Sequence, residues 1–287
     1  MLRTSLLAII VAAVGAVPVE AKRAIRIFTP VEKVARAELV VAGKVTAVEK
    51  QLVDAIRFPG DTEKVGHKVV VIKIDKGLVG GDTITHVKVG FVPPPPPADP
   101  NVPVRPGRGG FQPIDLKEGQ EGIFFLTKHP SGEFYTITPL LAPLDPQAEN
   151  YKTQVELVKK AAAVLADPMK SLKSGKAEDR YFAATALLTK YRAYPETGGE
   201  VDTIKLPVEE SRLILKSLAE GDWKKYDPDT INGMQAFYQL ALTEKDGWKQ
   251  PQPKPGADFA DTMKEAFIKW LDGPGKDYQI GKVVPKK

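Results

Sequence analysis

The sequence predicts an α+β chain in two parts, an antiparallel β domain over residues 22–146 followed by an irregular all-α domain over residues 147–287. Three observations carry this. Valine-rich runs in the first part repeat with a period of two, and after Pro146 the apolar period changes to about 3.6. Between the strands lies a proline-rich stretch, residues 93–113, which has too few amide donors for a sheet and too little apolar content for a core.

Ahead of both parts, residues 1–21 read as a secretory signal peptide. Arg3 supplies the positive start, Leu6 to Val17 form an apolar run broken by Gly15, and Val19-Glu20-Ala21 ends in the small residue that cleavage needs. The run is shorter than the roughly 20 apolar residues of a membrane-spanning helix, and no later segment approaches that length. The mature chain is therefore expected to begin at Lys22, outside the cytoplasm and without stable membrane insertion.

The β part opens with Glu38 to Lys50, whose alternation places Leu39, Val41, Val45 and Ala47 on one face, with Gly43 where a strand bulges. Lys68 to Ile74 and Thr83 to Val89 are predicted as a hairpin turning through residues 75–82, with Val70, Ile72, Ile74, Val87 and Val89 facing one way. After the proline-rich loop, Gly122 to Thr127 and Phe134 to Thr138 form a second hairpin around Lys128-His129-Pro130-Ser131-Gly132-Glu133.

Five helices are predicted beyond Pro146. Tyr151, Val155, Val158, Ala162 and Leu165 share the first face, which Asp167-Pro168 ends. Tyr181, Ala184, Leu187, Leu188 and Tyr191 define the second. Pro207, Glu209 and Glu210 open the third, which carries Leu213, Ile214, Leu215 and Leu218. Asp227-Pro228 caps the fourth, with Ile231, Met234, Phe237, Tyr238 and Ala241, and Phe259, Met263, Ala266, Phe267 and Trp270 mark the fifth.

Composition excludes several mechanisms. The 287 residues contain no cysteine, so disulfides, thiolate nucleophiles and Cys-based metal sites are absent. The net charge of +5 is spread evenly, 17 basic against 14 acidic residues over 22–148 and 23 against 21 over 149–287, which argues against a nucleic-acid groove.

Three runs in the β part, Ala37-Glu38-Leu39-Val40-Val41-Ala42-Gly43-Lys44-Val45, Val69 to Ile74 with Lys76-Gly77 after it, and Leu116 to Leu126, occur in an order that resembles the OB-type barrel of tissue inhibitors of metalloproteinases and netrin modules, in cysteine-free bacterial versions. The resemblance spans roughly Ala35 to Pro139 and implies an OB-like barrel. In the animal inhibitors an N-terminal cysteine chelates the protease zinc. Here Lys22 begins the mature chain, so no residue takes that role and no such inhibition is expected. Asp179 to Leu188 is faintly similar to one helix of a HEAT-type repeat, without a fixed repeat period.

No catalytic, cofactor-binding or metal-binding residue is assigned. His67 and His86 are expected about 13 Å apart along neighbouring strands, with His86 opposite Val71, and His129 in a hairpin loop reads as a surface imidazole. Ser131, Ser171, Ser174, Ser211 and Ser217 lack a nucleophile-elbow context and read as loop, cap and helix-surface residues. Glu209-Glu210 and Asp227/Asp229 fit helix starts, and Gly77, Gly80 and Gly81 lie between strands and so form no phosphate loop. Trp270 is in phase with a core stripe, whereas Trp223 and Trp248 read as loop residues that cover a core edge or present a binding surface. The expected function is an exported, non-enzymatic binding or scaffold protein of the cell envelope, with a protein or envelope polymer as partner and no cofactor. The alternatives are an enzyme inhibitor or regulator, as the barrel resemblance implies, and a hydrolase using carboxylates that sequence does not locate.

Overall fold

The computed structural model describes residues 28–57, 59–94, 114–225, 227–252 and 255–286. The predicted leader, the start at Lys22 and residues 95–113 of the proline-rich stretch lie outside the described residues. The chain is a mixed α+β protein with strands gathered in the first part and most helices in the second.

The first described element is a helix, α1 (Pro30–Arg36), where the sequence suggested none. Thr29 accepts from the Glu32 amide at 3.1 Å while the Glu32 carboxylate accepts from the Thr29 amide at 3.0 Å, a capping box with Pro30 at the first position. Seven residues are too few for a periodic signal, which is why only the cap could have revealed the helix.

Strand β1 (Leu39–Val48) pairs antiparallel with β3 (Lys64–Val79) on one side and with β5 (Glu121–Lys128) on the other. Short β2 (Val53–Ile56) flanks the start of β3, β4 (His86–Phe91) follows β3, and β6 (Tyr135–Thr136) joins β5 antiparallel and β4 parallel. Gly43 sits at a register shift in β1, where a Cβ would overlap the Lys73 carbonyl oxygen, so the strand bends over β3 only with glycine there. A further shift between Val45 and Ala47 reverses the alternation. Leu39, Val41 and Val45 point into the β core as expected, but Ala47 is exposed and Val48 packs inward.

The predicted turn over residues 75–82 is largely strand. Gly80 and Gly81, with φ of 63° and 78°, place the turn after Val79, and β4 begins only at His86. His86 therefore lies opposite Lys73, not Val71, which faces Lys88.

The second part contains α2 (Tyr151–Ala166), α3 (Pro168–Leu172), α4 (Ala177–Arg192), α5 (Val208–Glu220), α6 (Gly233–Leu240) and α7 (Phe259–Asp272), plus an antiparallel pair, β7 (Val201–Lys205) with β8 (Gly281–Pro285). Helix α6 starts later than predicted. Asn232 and Gln235 form its capping box, while Asp227 accepts from the Asp229 amide in a separate turn. Trp223 and Trp248 lie outside helices, yet both are buried and join Phe237, Phe267 and Trp270 in one aromatic cluster.

Two main buried clusters result. One fills the β part with Val41, Val70, Ile72, Val89, Phe91, Phe124 and Leu126. The larger takes residues from both sides of Pro146, joining Val31, Val34, Val40, Phe125 and Leu144 to Val158, Leu187, Leu215 and Trp270. The periodicity change at Pro146 thus marks a change of secondary structure across which packing is continuous. No helix of the described residues is long and apolar enough to cross a membrane.

Candidate functional site

The β strands bring together two of the three histidines. His67 stands in β3 opposite Val53, and His129 follows β5 in the turn that leads to β6. Their ring centroids are 5.1 Å apart at an interplanar angle of 75°, and Phe134 touches both, at 5.6 Å from His67 and 4.4 Å from His129. Each histidine is 3% exposed. The surface imidazole expected at His129 is therefore a buried one, because its hairpin folds back over the β2–β3 edge and does not project from it. His86 remains exposed on β4 and takes no part.

Local chemistry fixes where each proton sits. His67 Nδ1 lies 2.9 Å from the Val65 carbonyl, which can only accept, so the proton is on Nδ1. His129 Nδ1 lies 3.2 Å from the Ser131 amide, which can only donate, and 2.8 Å from Ser131 Oγ. The neutral His129 ring therefore carries its proton on Nε2. Gly132, at φ 78°, closes the turn by donating to the His129 carbonyl at 2.8 Å. Burial pushes the His129 pKa down, as does the neighbouring His67, while the Ile56 carbonyl and the Glu133 carboxylate act in the opposite direction. Protonation would also take Nδ1 away from the Ser131 amide.

Above this pair opens a cleft of about 450 Å³. Phe91, Val92, Pro93, Ile114, Ile137 and Pro139 make its walls apolar, and Arg57 and Glu196 bring charge to it. Glu196 is neutralised by Arg36 at 2.9 Å, with only 7% of the Glu196 side chain exposed. Arg57 has no ion-pair partner among the described residues. Thr138 Oγ1, a buried polar atom of a lining residue, has no hydrogen-bond partner among the described residues. The position of Phe134 depends on Gly90, since a Cβ at that residue would overlap the Phe134 ring.

The other residues weighed from sequence are dispersed. Ser131 is exposed and spends its amide and hydroxyl on its own turn, with no carboxylate bonded to the partner imidazole. Ser211 and Ser217 are buried, not on the helix surface, and Ser211 Oγ accepts from the Ile280 amide at 3.1 Å. Ser171 bonds the Asp167 carbonyl at 2.9 Å, the Ser174 carbonyl accepts from Arg180 at 2.8 Å, and Glu210 takes the Tyr191 hydroxyl. Among the described residues no three His, Asp or Glu side chains gather into a group that could hold a metal. Sequence reasoning missed the cleft because its parts come from five separated segments. The only local signal was His129-Pro130-Ser131-Gly132, a turn whose serine can hold the preceding imidazole.

Compared with known protein families and with curated proteins, the chain matches none.

Proposed function

We propose that the protein is an exported, non-enzymatic binding protein of the cell envelope, built on an OB-like barrel, and that it holds its ligand in the cleft above His67 and His129. The barrel reading is supported by the pairing sequence, which leads from β1 through β5, β6, β4 and β3 back to β1, with β4 and β6 parallel. Export is supported by the composition of residues 1–21.

The observation that carries the binding role is the cleft itself, a largely apolar space with few polar groups, closed at its base by two buried imidazoles. Its one lining carboxylate, Glu196, is committed to Arg36, so no free carboxylate faces the cleft. It offers apolar contact and one cation, Arg57.

The test is capture from envelope extract by the mature protein, in parallel with Val92→Trp, which fills the cleft from a position already 38% exposed. A species retained by the native protein and lost from the variant is the expected result. Equal retention by both removes the cleft from the function. Intact-mass measurement of the exported protein should show a chain beginning at Lys22 or, if cleavage follows Val14-Gly15-Ala16, at Val17.

A further inference from the structure

A second cleft, of about 430 Å³, lies on the opposite chemistry of the chain, between α5, α7 and the short turn Pro274–Asp277. Its floor is apolar. Leu215 is buried, Leu271 is half-buried, and Ile268 of α7 remains 39% exposed. Three cations line it, Arg212, Lys216 and Lys276, and none has a carboxylate within ion-pair distance among the described residues. Of the two carboxylates present, Glu220 is bound by Arg180 at 2.6 Å, which leaves Asp272 alone against three positive charges.

Elsewhere in the helical half some surface cations are paired and others, such as Lys152, Lys176 and Lys249, are not. Lys160 meets Asp179 at 2.7 Å, Lys173 meets Glu209 at 2.8 Å and Lys224 meets Asp261 at 2.5 Å. What sets the groove apart is that three unpaired cations converge on an apolar cleft, where they attract an anion more strongly than on an open surface. We propose that this groove binds a single-chain anionic amphiphile, with the head at Arg212, Lys216 and Lys276 and the chain along Ile268 and Leu271. The site is independent of the histidine cleft and of the function proposed there.

The experiment titrates the full mature chain with dodecanoate and with dodecyl phosphate, both below their micelle concentrations, by calorimetry and by tryptophan fluorescence. Trp270 is the reporter because its ring packs against Gly275, a residue of the groove. Saturable binding of one molecule is expected, weakened by added salt and at least tenfold weaker in Arg212→Glu/Lys216→Glu. The two probes separate a carboxylate preference from a phosphate preference. Dodecyl maltoside and dodecyltrimethylammonium should not compete. Equal binding of the neutral amphiphile, binding undiminished in the double variant, or loss of helical circular dichroism on titration each overturns the proposal. Should the double variant fold poorly, Lys276→Glu in the exposed turn is expected to weaken binding severalfold, and unchanged affinity there counts equally against it.

Discussion

The Lys33 ammonium, in a side chain on a residue only 8% exposed, donates at 2.7 Å to the carbonyl of Ala142, so the first helix is tied to the chain just before the helical half begins. The Phe125 ring lies 5.6 Å from the same ammonium. Burial pulls the Lys33 pKa from 10.5 down to about 8. A folded pKa below the unfolded one means that the unfolded chain holds more protons between those values, so stability rises with pH across that window.

The charged lysine thus opposes folding at neutral pH by roughly 3 kcal/mol relative to its neutral form, at about 1.4 kcal/mol per pH unit. Lys33→Met is expected to change stability at pH 7 by no more than about 1 kcal/mol and to reduce the rise between pH 8 and 9.5, to which Lys190, its pKa also lowered by burial, contributes in the same sense. Urea midpoints across that range check it, below the pH at which half-buried Tyr181 and buried Tyr191, whose hydroxyl pKa values burial raises, begin to act in the opposite sense.

The histidine pair has its own pH signature. Because burial lowers the His129 pKa, stability should hold above about pH 6.5 and fall as the pH drops below it, where the unfolded chain takes up the proton first. An NMR titration of the His129 ring should give a midpoint below 6.5, and His129→Phe should flatten the acid limb of the urea midpoint. A His129 midpoint above 6.5 would contradict the geometry described.

Gly90→Ala tests how the cleft floor is built. The added methyl would overlap the Phe134 ring, which packs on both histidines. Overpacking of this kind typically destabilises by about 1–3 kcal/mol. The chemical shifts of His67 and His129 should move in the variant while those of His86 stay fixed.

Ala241, at the end of α6, has φ 52°, the left-handed region in which a Cβ is crowded. Ala241→Gly should therefore raise stability, by about 0.5–1 kcal/mol once the added freedom of the unfolded chain is counted. A lower thermal midpoint in the variant would show that the Ala241 side chain contributes packing that outweighs its strain.

Much of the fold was legible because periodicity reports directly on burial. The stripe Val155, Val158, Ala162 and Leu165 and the alternation Val70, Ile72 and Val87, Val89 fall on the buried faces they predict. What escaped was short or shifted. The bulge at Val45/Ala47 inverted one face, and the paired left-handed glycines moved the β3–β4 turn by enough to slide His86 two positions along its partner. β7 and β8 were missed because strands of five residues, one largely exposed and the other mostly half-buried, carry no alternation that a core enforces. The site was not legible at all. Contact between His67 and His129 depends on how β2, β3 and the β5–β6 turn meet, and no spacing along the chain records that.

The shared core also bears on the order in which the chain can finish folding. Val31 and Val34 belong to the same cluster as Ile280, and β8 supplies the partner of β7 and a neighbour of α4 only after both of those have been made. During vectorial synthesis the early strands can pair, but the apolar faces of α1, Val40 and Phe125 must wait for helices that emerge much later. Until then they are exposed surface that a holding chaperone would recognise, and a nascent chain arrested before α2 and α4 emerge should remain protease-sensitive across α1 although strands β1 to β6 are complete.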